Sequence, residues 1–175
     1  MPDASVSYGQ YKFLGFEFLT WLWFLIEKDQ DRLKETDKEL ISLEIGNRIV
    51  LENFKNDRAE TVTIKGDDAG LEEGILALRK GSVVTEISLV YSDIGSREWR
   101  FTLKGESFDI ANLKTPVTGQ AESEDDMEGI ILEKVYLYEK IVRWTDAVFS
   151  RFIKLRISKD WNQTEVKLMR EWIHS

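Results

Sequence analysis

The chain has 175 residues, 42% of them hydrophobic and 32% charged, with a net charge of −8, two prolines and no cysteine. This composition suits one soluble globular domain. The missing cysteines exclude disulfides, thiolate metal sites and cysteine nucleophiles, and the acidic balance counts against indiscriminate attraction to polyanions.

Residues 1–12 read as a flexible lead-in. The stretch that follows, Phe13 to Lys28, holds two of the six tryptophans and four of the nine phenylalanines. Phe18, Leu22, Leu25 and Ile26 keep helical spacing, and Phe16, Trp21 and Trp23 widen the apolar surface, so the pattern predicts a helix from Gly15 to Asp29. Fully burying one large apolar side chain contributes roughly 1.5–3 kcal/mol. The segment is therefore either a core anchor or a surface that another molecule covers, and Trp21, Trp23 and Phe24 are the interface candidates. The apolar run contains Glu17 and is shorter than the about 20 residues a membrane span needs. It also lacks the cationic start and cleavage site of a signal peptide. The reading is a cytoplasmic protein with no membrane partner.

Residues 29–39, almost all polar, read as a surface loop. The period then changes to two at Ile41, Leu43 and Ile45. Gly46-Asn47 suits a tight hairpin turn, with Arg48 to Phe54 as the return strand. A third strand is expected at Thr61 to Lys65. Asp67 or Asp68 can cap a short helix from Ala69 to Lys80 that Gly81 ends, with Leu71, Ile75 and Leu78 as its packing stripe. Ile87, Leu89 and Tyr91 alternate in a further strand, as do Trp99, Phe101 and Leu103 within Arg97 to Lys104, and an extended piece covers Ser107 to Leu113. Residues 115–128 form a break. A long helix is expected from Met127 to Ile157. It carries one stripe of Ile131, Val135, Tyr138, Val142, Phe149 and Phe152, and a second of Ile130, Leu137, Ile141, Trp144, Val148 and Leu155. Ser158 to Trp161 ends it, and a last amphipathic helix runs from Asn162 to Ile173. The fold class is α+β: an antiparallel sheet of about five strands packed with an aromatic N-terminal helix, a short middle helix and a long C-terminal helix. Residues 13–157 make one domain and 158–175 a helical extension.

Chemistry-bearing patterns are sparse. Glu122, Glu124, Asp125, Asp126 and Glu128 miss the calcium-loop spacing and read as a solvated loop whose acids favour the start of the next helix. His174, the single histidine, has no surroundings that would hold a general base in place. Phosphate-loop, dinucleotide and serine-elbow motifs do not occur. Glu17 reads as a carboxylate paired with a cation or at a watery helix edge. The expectation is a protein that is not an enzyme and uses no cofactor or metal. From Glu133 onward, nine basic residues face six acidic ones, a net +3 against −11 for the rest. Such a reversal suits a phosphate-contacting face, with Arg143, Arg151, Lys154, Arg156 and Lys159 as the candidates. On the residues alone, a solvated helix back with cations near its C-terminus is the plainer reading.

The string Phe-Leu-Gly-Phe-Glu-Phe-Leu-Thr-Trp-Leu-Trp-Phe at 13–24 resembles the hydrophobic segment that opens the C-terminal half of the recombination-associated protein RdgC family. The order that follows is similar too: the Glu60–Lys65 strand, Asp67-Asp68 and a helix ending Leu78-Arg79-Lys80-Gly81-Ser82-Val83-Val84, then Thr85–Leu89, Trp99–Leu103, an acidic loop and a long helix. The resemblance covers Gly9 to Ile157. It implies DNA association without sequence preference and modulation of a recombinase, hence a nucleoid association and a homodimer, self-associating through the aromatic or the long helix. The chain is about half the length of family members and is acidic, and no DNA-contacting residue carries over. The alternative is an acidic interaction module, DNA-mimicking in charge, that docks on a DNA-processing protein. A metal-dependent nuclease ranks third.

Overall fold

A computed structural model describes residues 4–55 and 60–175, with side chains from Phe13 onward. Helix α1 spans Ala4–Lys28 and α2 spans Gln30–Thr36. Strands β1 (Leu40–Asn53) and β2 (Glu60–Lys65) precede helix α3 (Asp68–Arg79). Strands β3 (Val83–Asp93), β4 (Glu98–Lys104) and β5 (Ile110–Lys114) lead to the long helix α4 (Glu124–Arg156). A π-helical turn, Trp161–Glu165, joins helix α5 (Val166–His174). The five strands form one antiparallel sheet in the order β2-β1-β3-β4-β5. The α+β class and the order of helices agree with the sequence.

Side-chain alternation splits the sheet into two unlike faces. Leu43, Ile49, Leu89, Tyr91, Trp99, Phe101 and Leu103 point into one core shared with every helix. Trp21, Trp23 and Phe24 are buried in that core. The expectation that they form an interface is therefore corrected: α1 lies across the sheet and is flanked by α4 and α5, so its greasy circumference is covered from within the chain. Phe18 meets Phe149 and Phe152, and Trp23 meets Trp172 edge to face. Buried indoles need acceptors. Trp21 donates to Glu165 at 2.9 Å, and Trp23 and Trp172 donate to the two oxygens of Glu27 at 2.7 and 2.9 Å.

Four local expectations are corrected. The lead-in is helical from Ala4, because α1 propagates outward from its buried part once nucleated; Met1–Asp3 lie outside the described residues. The polar stretch after Lys28 contains α2, pinned by the burial of Leu33 and by Arg32 on Glu165 at 2.8 Å. Gly46-Asn47 is not a hairpin turn. It sits inside the continuous strand β1, where Ile45 pairs with Leu89 and Ile49 with Ile87, so two extra residues bulge outward. Both halves of β1 hydrogen-bond the same strand, which a hairpin cannot do. Close approach at this bulge requires a glycine at position 66: a Cβ on Gly66 would lie 1.8 Å from the Gly46 carbonyl oxygen. Finally, the two stripes of α4 do not share one fate, which bears on the site below.

The signals at the ends of α3 hold. Asp67 caps α3 by accepting from the Gly70 amide at 2.8 Å, and Gly81 ends it at a φ of +96°. Residues 158–175 are packed into the same core through Trp161 and Trp172.

Candidate docking surface

Helix α4 is 33 residues long, or about 50 Å at 1.5 Å per residue. Ser123 caps it by accepting from the Asp126 amide at 3.2 Å. Glu124, Asp125 and Asp126 fill the first turn and Lys154 and Arg156 the last, matching the helix dipole at both ends. The acidic cluster thus serves the helix start. Among the described residues no group of three or more acidic or histidine side chains is arranged to hold a metal ion.

The C-terminal half of α4 belongs to the body. Leu137, Ile141, Trp144, Val148 and Phe152 are buried, and Trp144 meets Tyr91 and Phe101 edge to face. Lys140 clamps this half to the sheet. Its ammonium reaches Glu39 and, at 3.4 Å, Asp93, and it sits 4.8 Å from the Trp99 ring centre. Burial alone would raise the Asp93 carboxyl's pKa. The Arg97 amide and guanidinium, helped by Lys140, outweigh it and hold the carboxyl below its usual range. Burial, then the bond to Asp37 and the charges of Asp37, Glu39 and Asp93, push the Tyr91 phenol upward, so it stays a protonated donor to Asp37. Asp93, Lys140, Tyr91 and Arg97 each have a partner, while the buried Trp144 Nε1 beside them has none among the described residues. The cluster positions α4 and offers no free acid–base pair.

The N-terminal half is different. From Glu124 to Tyr136 every residue is exposed except the half-buried Ile130. Met127, Ile131, Val135, Tyr138 and Val142 repeat at four- and three-residue spacing along one line, each 46–54% exposed, with Leu132 and Tyr136 beside it. The same line continues to Thr145 and Phe149, which border an apolar cavity of about 250 Å³ with Phe18, Leu103 and Phe108. A single exposed leucine means little, but a contiguous apolar stripe on a projecting helix marks an interaction site. A helical arm as short as Glu124–Tyr136 is marginal in water on its own, so burial of the stripe also stabilises the arm itself.

The cationic tract is largely engaged within the chain. Arg151 binds Glu35 at 2.7 Å, the Arg32 carbonyl at 2.6 Å and Thr36 at 2.8 Å. Arg156 binds Glu17 at 2.7 Å, giving that carboxylate the cation partner its sequence setting implied. Arg143 pairs with Glu139 of its own helix at 3.7 Å. Lys154 and Lys159 are exposed and have no carboxylate partner among the described residues. Arg143, Arg151, Lys154, Arg156 and Lys159 therefore do not form a strip of five free cations. Sequence reasoning grouped Ile131, Val135, Tyr138 and Val142 as one stripe of the long helix but did not separate it from the buried stripe beside it. It gave no role to Lys140, whose signal was a lone cation on an otherwise apolar stripe.

Comparison with family models, with curated proteins and with solved structures finds no match. No helix among the described residues is long and apolar enough to cross a membrane.

Proposed function

We propose that this chain is a non-enzymatic interaction module whose projecting helix α4 pairs antiparallel with α4 of a second copy. The observation that carries this is the exposed line Met127, Ile131, Val135, Tyr138 and Val142 on an arm that its own fold leaves uncovered. The line is complementary to itself. With a twofold axis beside Val135, Met127 faces Val142, Ile131 faces Tyr138, and the acids at the helix start face Arg143 of the partner copy. Antiparallel pairing also opposes the two helix dipoles. Identical patches meeting about a twofold axis are the commonest oligomer geometry.

Sedimentation equilibrium tests this. The chain should run at twice 20.4 kDa, and the double variant Ile131→Glu/Val135→Glu at 20.4 kDa with an unchanged circular dichroism spectrum. A parent chain that stays at the single mass at high micromolar concentration contradicts the reading.

Association with duplex DNA, as a recombination or replication factor, is the second reading. It is favoured by Lys154 and Lys159, exposed at the end of α4 and just beyond it without carboxylate partners. Charge reversal of these two should abolish a low-salt mobility shift if they meet phosphate; absence of any shift in the parent leaves the interaction module alone.

A further inference from the structure

The sheet face turned away from the helices carries a second feature, independent of α4. A cavity of about 420 Å³ lies over it, lined by Asn47, Arg48, Ser88, Arg100, Thr102, Asn112 and Lys114 and by no acidic residue. We propose that this cavity binds a small phosphate ester, with its phosphoryl group held by Arg48, Arg100 and Lys114.

Three observations converge on it. First, two sheet irregularities flank the same row. The β1 bulge at residues 46–48 lies opposite Ser88, and β5 is bulged between its pairings at Ala111 and Lys114, opposite Thr102 and Arg100. Asn112 in that second bulge has a φ of +53°, a strained value for a residue with a side chain. Bulges re-aim side chains and recur beside binding sites. Here each one supplies an asparagine and a cation to a common space.

Second, the charges are arranged against the sheet's own interest. Arg100 pairs directly opposite Lys114 across the β4–β5 ladder, and like charges so placed destabilise a sheet. Lys114 has no carboxylate partner among the described residues. Arg48 and Arg100 have only long, exposed pairs, to Glu86 at 3.4 Å and to Glu98 at 3.3 Å, of a kind worth about 0–1 kcal/mol. Glu44, Glu86 and Glu98 stand outside the lining, so the cavity wall itself carries three cations and no carboxylate. A dianionic phosphoryl group uses that surplus better than a singly charged carboxylate, and guanidinium forks match its geometry.

Third, the floor is a donor pair. Ser88 and Thr102 are buried and their hydroxyls lie 3.0 Å apart. Two hydroxyls carry two protons, and their mutual bond uses one. The other is available to an oxygen above them. The volume falls in the ordinary range for small-ligand sites.

The test is an amide-resonance titration at constant ionic strength with inorganic phosphate and with glycerol 3-phosphate, glycerol and sodium acetate being the controls. The proposal expects saturable shifts confined to residues 46–48, 88, 102 and 111–114 with both phosphates, and none with glycerol. Arg100→Gln and Lys114→Gln should each weaken the apparent affinity at least tenfold. Both positions are exposed, and without phosphate both variants should melt at or above the parent's temperature, because the opposed cations are relieved. Diffuse or non-saturating shifts, acetate binding as well as phosphate, or unchanged affinity in Lys114→Gln each overturn it. So does a short DNA duplex that shifts these residues when the monoester does not.

Discussion

Asp93 shows how one residue ties the long helix to the sheet. Its side chain is 1% exposed. It accepts from the Gly95 and Arg97 amides and the Arg97 guanidinium, each at 2.9 Å, and from Lys140 at 3.4 Å. These contacts hold its folded-state pKa below the ordinary aspartate range. A depressed carboxylate stabilises the fold fully above its unfolded pKa, and that stabilisation is lost as pH falls through the folded value. Urea unfolding should therefore show stability constant near neutrality and declining below about pH 4. Asp93→Asn should flatten that acid limb and cost about 3 kcal/mol at neutral pH, because Lys140 is left buried with one partner fewer. An acid limb unchanged in the variant would remove Asp93 as its source. None of this was legible in the sequence. Asp93 stands in an ordinary turn string, and its partner Lys140 lies 47 positions away.

At the scale of elements, legibility followed the strength of the local signal. The α3 cap, its glycine stop and the alternating strands β3 and β4 are written in adjacent residues. The α2 helix is not, because one buried leucine in a polar run carries no period. The Gly46-Asn47 pair is a genuine turn signal overridden by pairing: β3 offers hydrogen bonds to both halves of β1, and the bulge absorbs the mismatch. The α4 periodicity located its apolar faces, but a period says which residues share a side and not what covers them. Close contact between elements is also invisible in one dimension. A Cβ on Gly15 would stand 1.9 Å from the Gly105 carbonyl oxygen, where α1 crosses the end of β4. Gly15→Ala must push the helix away from the sheet, and overpacking of this kind costs about 1–3 kcal/mol. A urea midpoint equal to the parent's would mean that α1 and the β4 end are not in contact.

For the whole molecule, the charge asymmetry proved a poor guide to surface. The excess of bases after Glu133 is real in composition. Yet Arg156 finds Glu17 139 positions away and Arg151 finds Glu35 at a separation of 116. Folding brings opposite charges together that the linear count keeps apart. What the body leaves uncovered on α4 is instead apolar: the arm from Glu124 to Tyr136, projecting from a core that already contains all six tryptophans. That arm is the surface on which the proposed function rests.

Because the chain has no cysteine, Val135→Cys creates a single thiol beside the proposed twofold axis, and Lys154→Cys places one far from it. Mild oxidation of dilute protein followed by non-reducing electrophoresis is the most direct measurement. Antiparallel pairing of α4 predicts rapid, near-complete disulfide-linked dimer for Val135→Cys and almost none for Lys154→Cys. Equal, slow cross-linking at both positions would contradict it.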